Sequence, residues 1–469
     1  MRLVRLIGSC AATLTLLAAA AAAAMQPAAQ PLGPAGCVNT RGTDGCRAAP
    51  SLAGLEPTQM AVSPNGRFVY SSQQAELIPG PHAPHSRLLV FARDLGTGAL
   101  HALSGRRGCL EDTVRAVARQ RGPCERVGGI EQPLALVISP DGRHLYVSGG
   151  GGRNNGGDYL VTFGLDPRTG SVRPLQCLTN QAHSRCAYAA IGAAGYLLVS
   201  PDSRDVYAAD GHRAVVDVYR AGAHRLTFAQ CLASTPQPGR NCTMTPLLME
   251  AGVDGLAVSR DGSELYAAGL VGEDAGRIVE FSRDPASGLL SAGSGPGDCV
   301  SDALSPPLGC AKVALTGTQL SLSASGDTLY AASGPELAVA ALSRDASTGA
   351  LSEAPAPSGC VEFTSFPMRA CSSAPRWSGD LPHTVSSRSN GLLVSAVEQR
   401  DGAGTVVEVS HSSANGALAA SDLRACAAGA CHRLRGTNGE LAGALAASPD
   451  GRSVYVADGN GIAQIRIPP

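Results

Sequence analysis

Charge is scarce in this chain of 469 residues: Asp, Glu, Lys and Arg together make up 16% of it, and the formal net charge is −1. Lysine is almost missing, Lys312 being the only one, so nearly every cation is an arginine. With a pI near 6.8 and no basic stripe, the composition argues against a nucleic-acid partner. Aromatic residues make up only 4%, with one tryptophan, Trp377. There is no GxSxG elbow, no HExxH zinc motif and no CxxC pair, which removes the most readable hydrolase and metal sites. Apart from a short capped helix expected from Asp112 through TVRAVARQR, no helical period comparable in length to the apolar runs appears, which leaves strands as the main building material.

What is present begins with an export signal. Arg2 and Arg5 precede an Ala/Leu run from Ala11 to Ala24, with small residues placed for cleavage before Met25. The run is short for a bilayer span. The expected division is residues 1–24 as signal peptide and 25–469 as one folded unit, secreted or periplasmic, with no membrane span after removal. Cys10 lies in the signal, and the other fourteen cysteines fall into seven couples. Cys37 goes with Cys46, Cys109 with Cys124, Cys177 with Cys186, and Cys231 with Cys242. Cys299 goes with Cys310, Cys360 with Cys371, and Cys426 with Cys431. An even count at regular places behind an export signal reads as disulfides.

The couples follow a repeat. PLALVISPDGRHLYVS (Pro133 to Ser148) reads as strand, Ser-Pro-Asp-Gly turn and second strand. Its turn-opening serine recurs at 63, 139, 200, 259, 323, 387 and 448, and tyrosine follows seven residues later except where Val394 stands. A second turn, Asp-x-x-Thr/Ser-Gly, recurs at 94–98, 166–170, 284–288 and 345–349, and is degenerate at 412–416. Four apolar runs per repeat, bounded by Gly, Pro, Asp and Ser, predict an all-β, seven-bladed β-propeller of four-stranded blades. One disulfide-closed loop is expected per blade. The seventh repeat stops after GIAQIRI (Gly461 to Ile467), so Pro31 to Val38 is expected to supply the outer strand of the last blade.

The Ser-Pro-Asp-Gly pattern with its tyrosine, followed by turns such as Asp-Pro-Arg-Thr-Gly, resembles the YVTN and lactonase-like seven-bladed propellers. The resemblance covers the mature chain from about the first cysteine, while a cysteine couple in each blade is an addition to the family pattern. It implies a ligand mouth built from the loops between second and third strands and from the entries to the inner strands. Lactonase-type members carry a His at an inner-strand entry with Arg and Glu around it. Here Pro382-His383 matches that pair and Glu398 takes the place of the family Glu, with Val397 where Asn is expected. Asp210 matches the family Asp after the second strand, with His212 and Arg213 beside it.

The sixth repeat has lost both the Ser-Pro-Asp-Gly turn and the tyrosine, and it gathers Arg376, Trp377, Asp380, His383, Glu398 and Arg400. A base, carboxylates, guanidinium groups and an aromatic platform could bind and polarise an anionic ring. A worn repeat with solvated charges reads equally well from the same residues. His82 and His85 lack a third ligand of suitable spacing, so no metal and no cofactor are expected. The sequence thus reads as a monomeric extracytoplasmic binding module whose partner, a small molecule or a protein, meets the propeller face. The alternative is a 6-phosphogluconolactonase-like or carboxymuconate-cyclase-like enzyme in which His383 and Glu398 are catalytic and the arginines hold the substrate. A non-reducing peptide map should find every link inside a couple; links such as Cys46 with Cys109 would contradict the one-staple-per-repeat reading.

Overall fold

The computed structural model describes residues 30–467 except 32, 54, 76–85, 113–123, 151–156, 182–185, 193, 249–251, 272–274, 294–296, 303–308, 315, 334–337, 354–358, 363–370, 374–384, 389–390, 398–403, 412–417, 423–443 and 459–460. It is an all-β propeller. The first blade runs inside to outside through Leu55–Val62, Phe68–Ala75, Arg87–Arg93, Cys109–Asp112 and Glu125–Val127, with Leu100–Ala102 also on Arg87–Arg93. The second is Pro133–Ile138, His144–Gly149, Tyr159–Leu165, Val172–Thr179 and Ala187–Tyr188. The third is Ala194–Val199, Asp205–Asp210, Val215–Ala221, Leu226–Ala233 and Thr243–Met244. The fourth blade spans Gly255 to Lys312 and the fifth Gln319 to Ser373, each with six strands. The closing blade combines Ala444–Ala447, Ser453–Asp458 and Gly461–Arg466 with Cys37–Asn39 and Arg47–Ala48.

The expectation of seven equivalent four-stranded blades, each with a disulfide-closed loop, is therefore corrected. The structure shows six blades, each of five or six strands and each carrying one disulfide. Cys109 is bonded to Cys124 in the first blade, Cys299 to Cys310 in the fourth and Cys360 to Cys371 in the fifth. Cys177 is bonded to Cys186 in the second, Cys231 to Cys242 in the third, and Cys37 to Cys46 in the closing blade. The seventh expected couple, Cys426 with Cys431, lies outside the described residues.

The worn sixth repeat forms a plainer four-stranded antiparallel sheet, Val385–Arg388, Gly391–Val397, Gly404–His411 and Leu418–Asp422, between the fifth and closing blades. That sheet is not built on the blade plan: among the described residues it has no outer parallel strand and no disulfide. The physical reason is the drift itself, since the repeat that lost its turn and its tyrosine also lost the features that shape the others.

The outer strands explain the extra count. In all six blades the outermost strand runs parallel to its neighbour, and the disulfide sits one residue before the pairing. Cys177–Cys186 precedes Leu178 opposite Ala187, and Cys231–Cys242 precedes Leu232 opposite Thr243. A parallel pair of two or three residues offers too few hydrogen bonds to hold its own register. Closing loops of 9 to 15 residues removes freedom the unfolded chain would otherwise have. The staple fixes the register, and the short strand covers a sheet edge that would otherwise be open. At the ring's seam Cys37–Asn39 pairs antiparallel with Gly461–Arg466, Val38 opposite Ile462, and residues 33–35 form a 3-10 turn ahead of that strand.

Each Ser-Pro-Asp-Gly turn is closed by its own serine. Ser200 Oγ donates to Asp202 Oδ1 at 2.6 Å and accepts the Asp205 N–H at 2.9 Å, and Ser139, Ser259 and Ser448 do the same in their blades. The tyrosine seven residues on is buried between blades, and the hydroxyls of Tyr70, Tyr207, Tyr266 and Tyr455 donate to the final glycine of the next blade's Asp-x-x-Thr/Ser-Gly turn. Tyr207 reaches Gly288 O at 3.1 Å, Tyr266 reaches Gly349 O at 2.7 Å and Tyr455 reaches Gly98 O at 2.6 Å. Gly98, Gly288 and Gly349 all hold φ between 72° and 78°, a conformation that leaves the carbonyl free to face the neighbour.

Three interfaces add an arginine from the next blade's third strand. Arg283 Nε donates to Tyr207 Oη at 2.6 Å, its Nη1 to Gly262 O at 3.0 Å and its Nη2 to Asp202 Oδ2 at 3.1 Å. Arg93 repeats this on Tyr455, Gly66 and Asp450, and Arg344 on Tyr266, Gly326 and Glu264. Leu165 and Ala221 occupy the arginine position in the second and third blades. At the second–third interface the neighbouring turn is shorter as well, and the buried Tyr146 hydroxyl has no hydrogen-bond partner. Tyr207→Phe should therefore cost about 1–2 kcal/mol in denaturant unfolding, while Tyr146→Phe should be neutral or slightly stabilising.

Candidate functional site

The loops between second and third strands and the entries to the inner strands meet on one face, and in the second to fourth blades they bring three carboxylates together. Asp210 ends the strand Asp205–Asp210 and is 3% exposed. Its Oδ1 accepts the His212 N–H at 2.8 Å, which tightens the hairpin tip. Its Oδ2 has no hydrogen-bond partner, and the nearest cation is Arg213 Nε at 3.9 Å. His212 and Arg213 are both exposed at the lip.

Asp254, at the entry to Gly255–Val258, faces the same tip: a Cβ on Gly211 would lie 2.6 Å from Asp254 Oδ1. The Val253 N–H donates to Asp210 O at 3.1 Å, locking that crossover to the hairpin. Asp158 completes the group from just ahead of Tyr159–Leu165, with Asn180 Nδ2 donating to its Oδ2 at 2.6 Å. Asn180 Nδ2 also donates to Ile191 O at 3.3 Å, so one amide ties the second blade to the crossover into the third. Partial burial pushes Asp158 and Asp254 above the usual carboxylate range. Asp210 adds repulsion to both, while His212 pulls both back, joined at Asp158 by Arg213 and by the Asn180 hydrogen bond.

Below the lip, Tyr196 on the third blade's inner strand accepts a hydrogen bond from Gln319 Nε2 on the fifth blade's at 2.9 Å. At Gly255, on the inner strand of the fourth blade, a Cβ would come 2.1 Å from Thr318 O. Burial and the nearby Asp254 push the Tyr196 hydroxyl up to about 12, so it remains a donor across the physiological range. Deeper in the third blade, Arg240 from the disulfide loop pairs with the buried Asp217. Burial lifts Asp217 to about 6 against the pull of Arg240, with Asp210 contributing repulsion.

Of the sequence-derived candidates, Asp210, His212 and Arg213 are brought together here. Arg376, Trp377, Asp380, His383, Glu398 and Arg400 lie outside the described residues. Asp158, Asp254, Tyr196 and Gln319 were not singled out in the sequence; Asp254 could have been, since it stands at an inner-strand entry. Among the described residues no group of three His, Cys, Asp or Glu is arranged to hold a metal ion. What the arrangement offers is hydrogen-bond acceptance by carboxylates over a floor of neutral donors.

No protein-family model and no curated protein matches the chain. Solved structures do. A protein from Lactobacillus plantarum aligns over 83% of this chain and 88% of its own, with 14% identity and a TM-score of 0.51. A periplasmic gluconolactonase of Pseudomonas aeruginosa aligns over 81% and 87%, with 18% identity and a TM-score of 0.48. Hydrazine synthase of Kuenenia stuttgartiensis aligns over 87% and 95%, with 15% identity and a TM-score of 0.47. Of these, only the likeness to the Lactobacillus plantarum protein is close enough to speak for a shared fold, and a shared fold can host unrelated activities.

Arg240→Leu would strand Asp217 in a buried place. It should cost about 2–4 kcal/mol at pH 8 and less at pH 5, where the acid is protonated. Chemical unfolding at the two pH values measures the difference.

Proposed function

We propose that this chain is an extracytoplasmic propeller that binds a small ligand rich in hydrogen-bond donors at the mouth of the second to fourth blades. The supporting observation is the cluster of Asp158, Asp210 and Asp254 around one hairpin tip, with a carboxylate oxygen of Asp210 that no donor reaches. Buried acceptors lacking donors are costly, and a ligand's hydroxyl or ammonium groups would relieve that cost. Tyr196 and Gln319 add donors and acceptors below, suited to a neutral polyol. The six disulfides fit an oxidising compartment. Among the described residues no helix is long and apolar enough to cross a membrane.

The second reading, hydrolysis of a lactone, draws on His383 and Glu398 with Arg376 and Arg400, and on the chemical resemblance of their spacing to lactonase-type propellers. One calorimetric experiment separates the two. Glucose, glycerol, putrescine, gluconate and glucono-lactone are titrated into the intact chain and into Asp254→Asn and His383→Ala variants. Binding of glucose, glycerol or putrescine that weakens about tenfold or more in Asp254→Asn, with no turnover, supports the mouth. Unchanged affinity in Asp254→Asn overturns it. Lactone turnover that falls by two to four decades in His383→Ala moves the site to the sixth repeat.

A further inference from the structure

One slot between blades is filled by two different side chains. In the closing blade Gln464 stands opposite Tyr455 on the adjacent strand, and its Nε2 donates to Thr97 O at 2.9 Å in the first blade's Asp94–Gly98 turn. The fit is tight: a Cβ on Gly98 would lie 2.1 Å from Gln464 Nε2. In the fourth blade the residue opposite Tyr266 is Glu280, and a Cβ on Gly349 would lie 2.2 Å from Glu280 Oε1. Both tyrosines donate to the carbonyl of the glycine concerned. The Glu280 carboxyl therefore occupies the place of the Gln464 amide, against the equivalent turn Asp345–Gly349, where Thr348 corresponds to Thr97.

The two groups differ in one respect that matters there. An amide brings its own N–H, whereas an ionised carboxylate has nothing to donate to a carbonyl. Glu280 is 6% exposed, so water does not solve the problem. Glu264 lies on the adjacent strand and against the same glycine. Asp298 is the next anion, and its backbone carbonyl accepts the Glu280 N–H at 2.8 Å. The cation at hand is Arg344, whose guanidinium is shared among Glu264, Tyr266 and Gly326.

We propose that Glu280 is carried as the neutral acid in mildly acidic solution and donates its hydroxyl proton to the Thr348 carbonyl, so that the fourth–fifth blade interface is a latch that loosens when the proton leaves. Burial, Glu264 and Asp298 lift this group from 4.5 to about 7, with Arg344 opposing. A raised acid pKa stabilises the fold fully below the unfolded value, and that contribution is lost as pH climbs through about 7. The closing blade, with an amide in the same slot, is insensitive over this range.

The test uses the full, disulfide-bonded chain. Between pH 5 and pH 8.5 the melting temperature of the parent should fall by about 3 °C more than that of E280Q, which carries its donor at every pH. The reciprocal change Q464E should create a new fall of similar size at the seam. Carboxyl carbon NMR of labelled glutamate, assigned by its loss in E280Q, should show a midpoint near 7. Parallel melting profiles for parent and E280Q, or a midpoint at 4.5 or below, would overturn the proposal.

Discussion

The structure depends on one contact made between neighbours: a buried tyrosine hydroxyl donating to a glycine carbonyl at the end of the next blade's turn. Much of the blade-to-blade packing is apolar, for instance Tyr207, Val216 and Val218 against Leu265, Val279 and Phe281. Apolar contact is non-directional and would tolerate sliding. The hydroxyl sets the height and angle at which one sheet meets the next. Where Arg93, Arg283 or Arg344 joins, the guanidinium holds the glycine carbonyl of its own blade's serine-opened turn while it bonds the tyrosine and a carboxylate of the adjacent blade, tying the two blades into a single polar joint.

Those joints lie on the face opposite the mouth, and this division shapes the candidate site. At the mouth end the hairpin tips are fixed by short local bonds, such as His212 N–H to Asp210, and by crossovers pressed close through glycine. Gly252, Gly255 and Gly276 all approach backbone or hydroxyl oxygens too closely to carry a side chain. The acidic group is held by close-packed neighbours, while His212 and Arg213 beside it are exposed at the lip.

Much of this was legible in the residues. The serine-to-tyrosine spacing marked the blade hairpins because a turn with fixed partners requires fixed spacing. Six cysteine couples paired as their positions indicated. The outer parallel strands were not legible, because two residues such as Ala187–Tyr188 carry no period at all. The blade count failed for a related reason: a repeat can be counted by its serine even when, as around Ser387, the rest of the plan has worn away. Asp210 stood out in the sequence because it matches the Asp that the resembling family carries after a second strand. Asp158 and Asp254 acquire meaning only through proximity, being separated from it by dozens of residues along the chain. The glutamate at 280 looked like any other charged residue until Gln464 supplied the comparison.

All six disulfides join cysteines of the same blade, so no described covalent bond crosses from one blade to another. The ring itself is shut by three residues from near one end, Cys37–Asn39, laid against Gly461–Arg466 near the other. During synthesis the blades can be stapled one at a time as they emerge, each by a short-range link. The seam must wait, because its two halves lie more than four hundred residues apart along the chain, and contacts so distant in sequence are slow to find. Until then the sequence Gly461–Arg466 has no partner to complete its sheet, and an incomplete copy presents an open strand edge. Ring closure and disulfide formation are thus separate events: a copy lacking either half of the seam can form its short-range staples and still leave the ring open.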